Sequence, residues 1–165
     1  ATVDVLLSLA RAADAGDYVQ PTLTEDNVLY VRGGRHPLME VVVEGQFMPN
    51  DTLVAPGQQG GVAIVTGPNG SGKSVYLKQV GLIAYMAHLG SFVPATEAVV
   101  GIVDRIFTRV ESLETCALLS RSSFGIDCAQ IATMLRGCTA RSLLLIDEFG
   151  KGTAPLEPSR HLCRI

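Results

Sequence analysis

The nine residues Thr66-Gly67-Pro68-Asn69-Gly70-Ser71-Gly72-Lys73-Ser74 constrain this chain more than any other stretch. They fit the phosphate-loop pattern of Gly, four free positions, Gly, Lys, and Ser or Thr. The residue types follow from the chemistry. Gly67, Gly70 and Gly72 allow backbone conformations that a Cβ would block, so successive N–H groups can converge on phosphate oxygens. A helix start adds unpaired N–H donors and the positive end of its dipole. Lys73 supplies a point charge for the β- and γ-phosphates, and the Ser74 hydroxyl is placed to ligate Mg²⁺. Gly61-Val62-Ala63-Ile64-Val65 reads as a buried strand before the loop, and residues 75–89 read as an apolar helix after it. Strand, glycine turn and helix are the context this motif needs. A glycine-rich turn with an exposed lysine is the bland alternative, and the flanking runs argue against it.

A second apolar run, Ser142-Leu143-Leu144-Leu145-Ile146, reads as another buried strand and ends in Asp147-Glu148. An apolar strand closed by an acidic pair is the Walker B pattern. Asp147 would hold Mg²⁺, directly or through water. Glu148 would orient and deprotonate an attacking water. Acids at a strand end can also be plain surface charges, and a phosphate loop in the same chain favours the functional reading. Phe149-Gly150-Lys151-Gly152-Thr153 reads as a polar, flexible turn beside the acids.

Composition narrows the partners. The chain has 165 residues, 47% of them hydrophobic, which suits one folded α/β domain with a real core. Net charge is −3, with Lys and Arg scattered singly, so the electrostatic footprint of an autonomous DNA binder is missing. Nucleic acid would have to be held by other parts of a larger protein. Cys116, Cys128, Cys138 and Cys163 form no CxxC pair and no zinc spacing; they read as reduced thiols of a cytosolic or nuclear protein. No basic region leads into an apolar stretch at the N-terminus, and the longest apolar run is too short to span a bilayer, so neither a signal peptide nor a membrane is expected. The chain starts without Met, in a helical pattern, and is expected to be a fragment.

In chain order, residues 1–15 read as an amphipathic helix, with Val5, Leu6, Leu9, Ala12 and Ala13 facing the domain and Gly16 ending it. Residues 18–27 form a connector. Short β-type runs at 28–31 and 41–43, split by Gly33, Gly34 and Pro37, predict a small antiparallel unit. Phe47 is either a core aromatic or a platform for an adenine ring, and His36 either a hydrogen-bonded turn residue or a site residue. Leu77, Val80, Ile83, Ala84 and Ala87 leave the helix after the loop apolar on most faces, so it is expected to be sandwiched in the core, with Gly90 as its C-terminal cap. Residues 91–95 read as a loop, and 99–110 as one or two strands bent at Asp104 and Arg105. Helix returns at Ser122, with Phe124, Cys128, Ile131 and Leu135 on one face and Ser122 or Ser123 as N-cap.

Six ordered blocks resemble one family. They are Arg35-His36-Pro37, Phe47-Met48-Pro49-Asn50-Asp51, residues 66–74, residues 90–95, Asp104-Arg105-Ile106-Phe107-Thr108-Arg109 and residues 145–153. Their order is that of the MutS mismatch-repair ATPases. The Asp147–Thr153 form and the run Tyr76-Leu77-Lys78-Gln79-Val80-Gly81 look closest to the meiotic MutS homologue 5 branch. The resemblance implies a P-loop NTPase of ABC type, with a mostly parallel sheet flanked by helices and a small antiparallel β unit near the N-terminus. It implies dimers with ATP at the subunit interface. Phe47 matches the position that stacks on adenine, Asn69 one near the γ-phosphate and Mg²⁺, and Ser122 the signature serine that reaches the partner's ATP. On this reading Gly67, Pro68, Asn69, Gly70, Ser71, Gly72, Lys73 and Ser74 bind ATP, Ser74 and Asp147 hold Mg²⁺, and Glu148 and Lys73 are catalytic.

The implied organisation is the end of a helical lever over 1–20, an ATPase domain over 21–153 and a divergent tail over 154–165, where Ala154-Pro155-Leu156-Glu157-Pro158 departs from the family pattern. The implied function is ATP hydrolysis coupled to DNA clamping in meiotic recombination or mismatch repair, in the nucleus, with a MutS homologue 4 partner and with DNA held by domains outside this chain. A non-catalytic nucleotide- or partner-binding module is the alternative. Another ABC-type ATPase is the second, but no Leu-Ser-Gly-Gly-Gln-like signature precedes the acidic strand.

Overall fold

The computed structural model describes residues 2–57, 61–109 and 123–149, with the side chains of 123, 124 and 126 excepted. The chain divides into two compact units, one through Asp104 and one from Arg105 onward.

The first unit begins with α1, Thr2–Ala15. Asp4 sits in its first turn, where a carboxylate complements the helix dipole, and the Ser8 hydroxyl bonds back to the Asp4 carbonyl at 2.9 Å. The helix forms as its periodicity predicts, but none of its residues is buried. The expected packing is corrected: Val5 and Leu6 stay exposed, because no element among the described residues covers them.

Four strands build the sheet of this unit: β1 (Thr22–Thr24), β2 (Leu29–Gly34), β3 (Asn50–Val54) and β4 (Glu97–Gly101). Their order is β1-β4-β2-β3, with β1 parallel to β4 and the other two ladders antiparallel. Of the antiparallel unit predicted from residues 28–31 and 41–43, the first run is a strand, β2, but its antiparallel partners are β3 and β4. Alternation along β2 turns Leu29 and Val31 inward, and cross-strand pairing sets Thr52, Val31 and Ala98 in one row. Leu29 and Val100 pair in the next.

The helix α3, Lys73–His88, packs on β2 and buries Gln79, Val80, Ile83, Ala84 and Ala87. Tyr85 and Leu89 remain exposed, so the helix is covered on one face rather than sandwiched. Its end is as expected. Gly90 takes φ +77°, the Gly90 N–H bonds the Ala87 carbonyl, and the Ser91 N–H bonds the Met86 carbonyl, which is a Schellman cap. The 91–95 loop keeps Ser91, Val93, Pro94 and Ala95 buried, with Val93 bridging to Val19.

Two expectations fail in this unit. The β-branched run 41–43 is not a strand: Met39–Val42 forms the single-turn helix α2. His36 explains the change, since its Nδ1 accepts the N–H groups of Leu38 (3.3 Å) and Met39 (3.2 Å) and so caps the turn. The run 61–65 is not a buried strand either. It carries no ladder hydrogen bonds, and Val62 and Ile64 are 62% and 82% exposed. A strand persists only where a neighbour satisfies its N–H and C=O groups, and none does so among the described residues. Without that central strand, the predicted mostly parallel sheet is corrected to a mixed one.

The second unit is a βαβ crossover: β5 (Arg105–Arg109), α4 (Ser123–Gly137) and β6 (Ser142–Ile146). The strands are parallel, from Arg105 beside Ser142 to Arg109 beside Ile146, as a crossover helix requires. The bend predicted at Asp104 and Arg105 separates β4 from β5. The α4 face differs from the predicted one. Asp127, Ile131 and Met134 are buried, whereas Cys128 and Leu135 are exposed. A charged residue takes the inward position because an arginine meets it there.

Candidate functional site

The phosphate-loop residues lie in the first unit, ahead of α3. Gly70 and Gly72 have φ of +79° and +94°, and among the described residues a Cβ at either would meet nothing within 4 Å. Both glycines therefore serve conformation, since each holds a positive φ. Gly72 is the N-cap of α3 and offers no side-chain cap; no acidic residue sits in the first turn. The first helical bond runs from the Tyr76 N–H to the Gly72 carbonyl at 2.9 Å. The amides of Lys73, Ser74 and Val75 therefore lack intrahelical acceptors at the positive end of a sixteen-residue helix. The Lys73 ammonium donates to the Gly67 and Pro68 carbonyls, each at 2.9 Å. It is folded onto its own loop, and two of its three N–H groups are used. A Cβ on Gly67 would lie 3.0 Å from Ser71 Oγ, so that glycine marks a close approach inside the loop.

Phe47 is half-buried in the coil before β3. The strand β3 that follows is tied to the first turn of α3. Thr52 Oγ1 and Tyr76 Oη are 2.9 Å apart, and the Tyr76 hydroxyl also reaches the Asp51 carbonyl at 3.4 Å. The Asp51 carboxylate in turn accepts the Gly33 N–H at 2.7 Å, where β2 is bulged between Val31 and Gly34. That irregularity precedes Arg35 and His36. Arg35 donates to the Gly16 (2.6 Å) and Asp17 (3.0 Å) carbonyls at the end of α1, pairs with Glu40, and lies over the Tyr18 ring. Burial and the nearby Glu40 carboxylate push the Tyr18 phenol up. Burial is also the main reason that the His36 imidazole is held below its usual range, and a neutral ring is what two incoming N–H groups require.

The acidic pair lies in the second unit. Asp147 is buried, and its N–H donates to the Arg109 carbonyl at 2.8 Å. Glu148 follows with φ +45°, a left-handed conformation uncommon for a residue with a Cβ. Arg109 donates from Nη1 to the Asp147 carbonyl at 2.8 Å and forms an ion pair through Nη2 with Asp127. The sequence reading placed Arg109 in a motif block but gave it no role, and it overlooked Asp127. An acid at a core-facing helix position, with an arginine closing a strand, was the available signal. Ser122 and residues 150–165, including Lys151 and the tail, lie outside the described residues.

Taken separately, the two motifs carry donors of the kinds that a nucleotide phosphate and a hard cation take. Ser74 and Asp147 offer oxygen ligands, the type Mg²⁺ takes, and Lys73 with the open amides of α3 offers positive potential to phosphate. Among the described residues no cluster of three or more His, Cys, Asp or Glu could hold a metal ion. No helix among the described residues is long and apolar enough to cross a membrane.

Comparison with known proteins bears on both motifs. The chain is 48% identical over 158 residues to a protein of Thermosynechococcus vestitus named DNA mismatch repair protein MutS, covering 95% of this chain and 18% of that protein. Proteins of the same name from Rhodopirellula baltica (155 residues) and Methanosarcina acetivorans (153 residues) are each 45% identical, covering 93% of this chain and 17% of theirs. The chain thus spans less than a fifth of the length of these curated relatives. They are bacterial and archaeal, and give no support to the meiotic homologue 5 branch. The pattern of MutS domain V matches residues 63–159, more than half of the chain, and the chain belongs to the MutS family.

Proposed function

We propose that this chain is the nucleotide-binding part of a MutS-type DNA clamp, and that it hydrolyses ATP to ADP and phosphate. The observation that carries the reading is the start of α3. Three amides without intrahelical acceptors stand beside a lysine already folded over the preceding loop. Lys73 would exchange its loop carbonyls for β- and γ-phosphate oxygens at little conformational cost. Mg²⁺, when bound, would supply positive charge against the negative charge that develops on the phosphate oxygens. Ser74 and Asp147 are the residues to hold it. Glu148 would take the proton of the attacking water, and Phe47 would stack on the adenine.

The names of the relatives support mismatch repair as the context. A dimer, with Ser122 completing the partner's site and with DNA held by other domains, belongs to the same proposal. The ATP-bound form would favour the closed dimer by its higher affinity for it, which couples the nucleotide to the clamp. A second reading, the meiotic homologue 5 branch paired with a homologue 4 subunit in the nucleus, is supported by the forms of residues 76–81 and 147–153. Co-purification with a homologue 4 subunit instead of self-association would favour it.

The test is ATP binding and turnover in the full-length protein. Lys73→Ala should weaken ATP binding at least tenfold. Glu148→Gln should keep binding and lose about 10²–10⁴-fold in turnover, the usual worth of a general base. Unchanged binding in Lys73→Ala would overturn the site. Binding without turnover in the parent would turn the reading to the non-catalytic module.

A further inference from the structure

We infer that Arg109 is a positioning residue for the acidic pair, fixing the peptide between Asp147 and Glu148. The inference rests on the proposed roles of those two acids.

The geometry is a grip from both sides of one residue. The Arg109 carbonyl accepts the Asp147 N–H at 2.8 Å, which is ordinary for a parallel ladder in which Arg109 stands beside Ile146. The Arg109 side chain then returns to the same residue. Its Nη1 donates to the Asp147 carbonyl, also at 2.8 Å. That carbonyl belongs to the peptide linking Asp147 to Glu148, so its direction sets where both carboxylates start. Glu148 leaves this peptide at φ +45°. A non-glycine residue keeps such a conformation only when its surroundings over-determine it, and a charged hydrogen bond to the preceding carbonyl does so.

Asp127 holds the arginine in place. The Arg109 and Asp127 side chains are 11% and 5% exposed, and the pair forms through Nη2, the second arm of the same guanidinium. A planar fork can serve a carboxylate and a carbonyl at once; a lysine ammonium has no such fixed geometry. Asp127 lies one turn into α4, whose first residue is Ser123. The acid that would hold Mg²⁺ is thus tied through one guanidinium to the start of the helix that follows the predicted signature serine. This arrangement has the logic of an outer-shell contact, which orients a metal ligand without touching the metal.

The decisive measurement is Mg²⁺-linked nucleotide affinity, read by binding a non-hydrolysable ATP analogue to the full-length protein in EDTA and across a Mg²⁺ titration. Arg109→Lys keeps a positive charge for Asp127 and loses the second bond. It should raise the Mg²⁺ concentration for half-saturation about tenfold, within the range typical of outer-shell losses, and leave affinity in EDTA as in the parent. Asp127→Asn, which frees the arginine to drift, should move half-saturation the same way. Turnover should fall in both. Unchanged half-saturation in Arg109→Lys would overturn the inference. So would an equal loss of affinity with and without Mg²⁺, because that marks a merely structural role. A parent that binds the analogue with no Mg²⁺ dependence would instead sink the assignment of Asp147 itself, and this inference with it.

Discussion

Two five-residue apolar runs lead into the two motifs of this chain, and they end differently. Residues 142–146 form β6, hydrogen-bonded along their whole length to β5, with Leu145 buried. Residues 61–65 have comparable composition and form no strand. What separates them is the neighbour. The β5–α4–β6 crossover delivers a parallel partner from within its own unit, whereas nothing among the described residues supplies one to 61–65. The motif ends differ in the same sense. The phosphate loop is held by its own lysine, which a ligand can draw away, while the acidic pair is held by an arginine that is itself paired.

Truncating both runs would break or sharpen this comparison most strongly. Leu145→Ala removes buried atoms and should cost about 2–4 kcal/mol. Ile64→Ala removes exposed ones and should stay within about 0.5 kcal/mol. Urea midpoints of the two variants against the parent give both numbers. An equal loss would mean that 61–65 is buried in the assembled protein and that the contrast between the runs is not real.

The next effect is smaller and has the opposite sign. If partners decide what a segment tolerates, a buried group without one should be improved by replacement. Gln79 is fully buried on α3, and among the described residues neither its Nε2 nor its Oε1 has a hydrogen-bond partner. It lies over Gly34, where a Cβ would come within 2.7 Å of Nε2, so the glycine is what leaves room for the amide. Gln79→Met keeps the length and removes both polar atoms. It should stabilise the protein by about 1–2 kcal/mol, the desolvation cost of an unsatisfied amide. A lower urea midpoint for Gln79→Met would show that the amide has a partner in solution.

The same logic explains what could be read in the sequence. The α3 helix was legible from its apolar spacing, and its end from Gly90, because both signals are local. The β6 strand and the acids closing it were legible for the same reason. The fate of 61–65 was not, since pairing is a property of two segments. The buried face of α4 was misread at Cys128 and Leu135 because the inward place of Asp127 depends on Arg109, eighteen residues earlier. The candidate site divides likewise. Lys73, Ser74, Asp147 and Glu148 follow from short motifs, whereas the grip on Asp147 needs coordinates.

The smallest expected effect concerns the run 41–43, where a side chain decides between strand and helix. His36 Nδ1 accepts two backbone N–H groups at the start of α2, and this requires the neutral imidazole. Burial is the largest cause holding its pKa below the ordinary 6.5, with the Lys78 charge a smaller one in the same direction. The folded protein therefore binds the proton less readily than the unfolded chain does. As pH falls below about 6.5, the unfolded state takes up protons first, so stability drops with decreasing pH. The His36 contribution is complete above that value and is lost as pH falls through the lower folded pKa. His36→Asn keeps an acceptor near the cap and removes the titration. Urea midpoints between about pH 8 and about pH 5 should fall less in this variant than in the parent. Parallel profiles would mean that the ring does not hold the cap, and α2 would then need another cause for its helical turn.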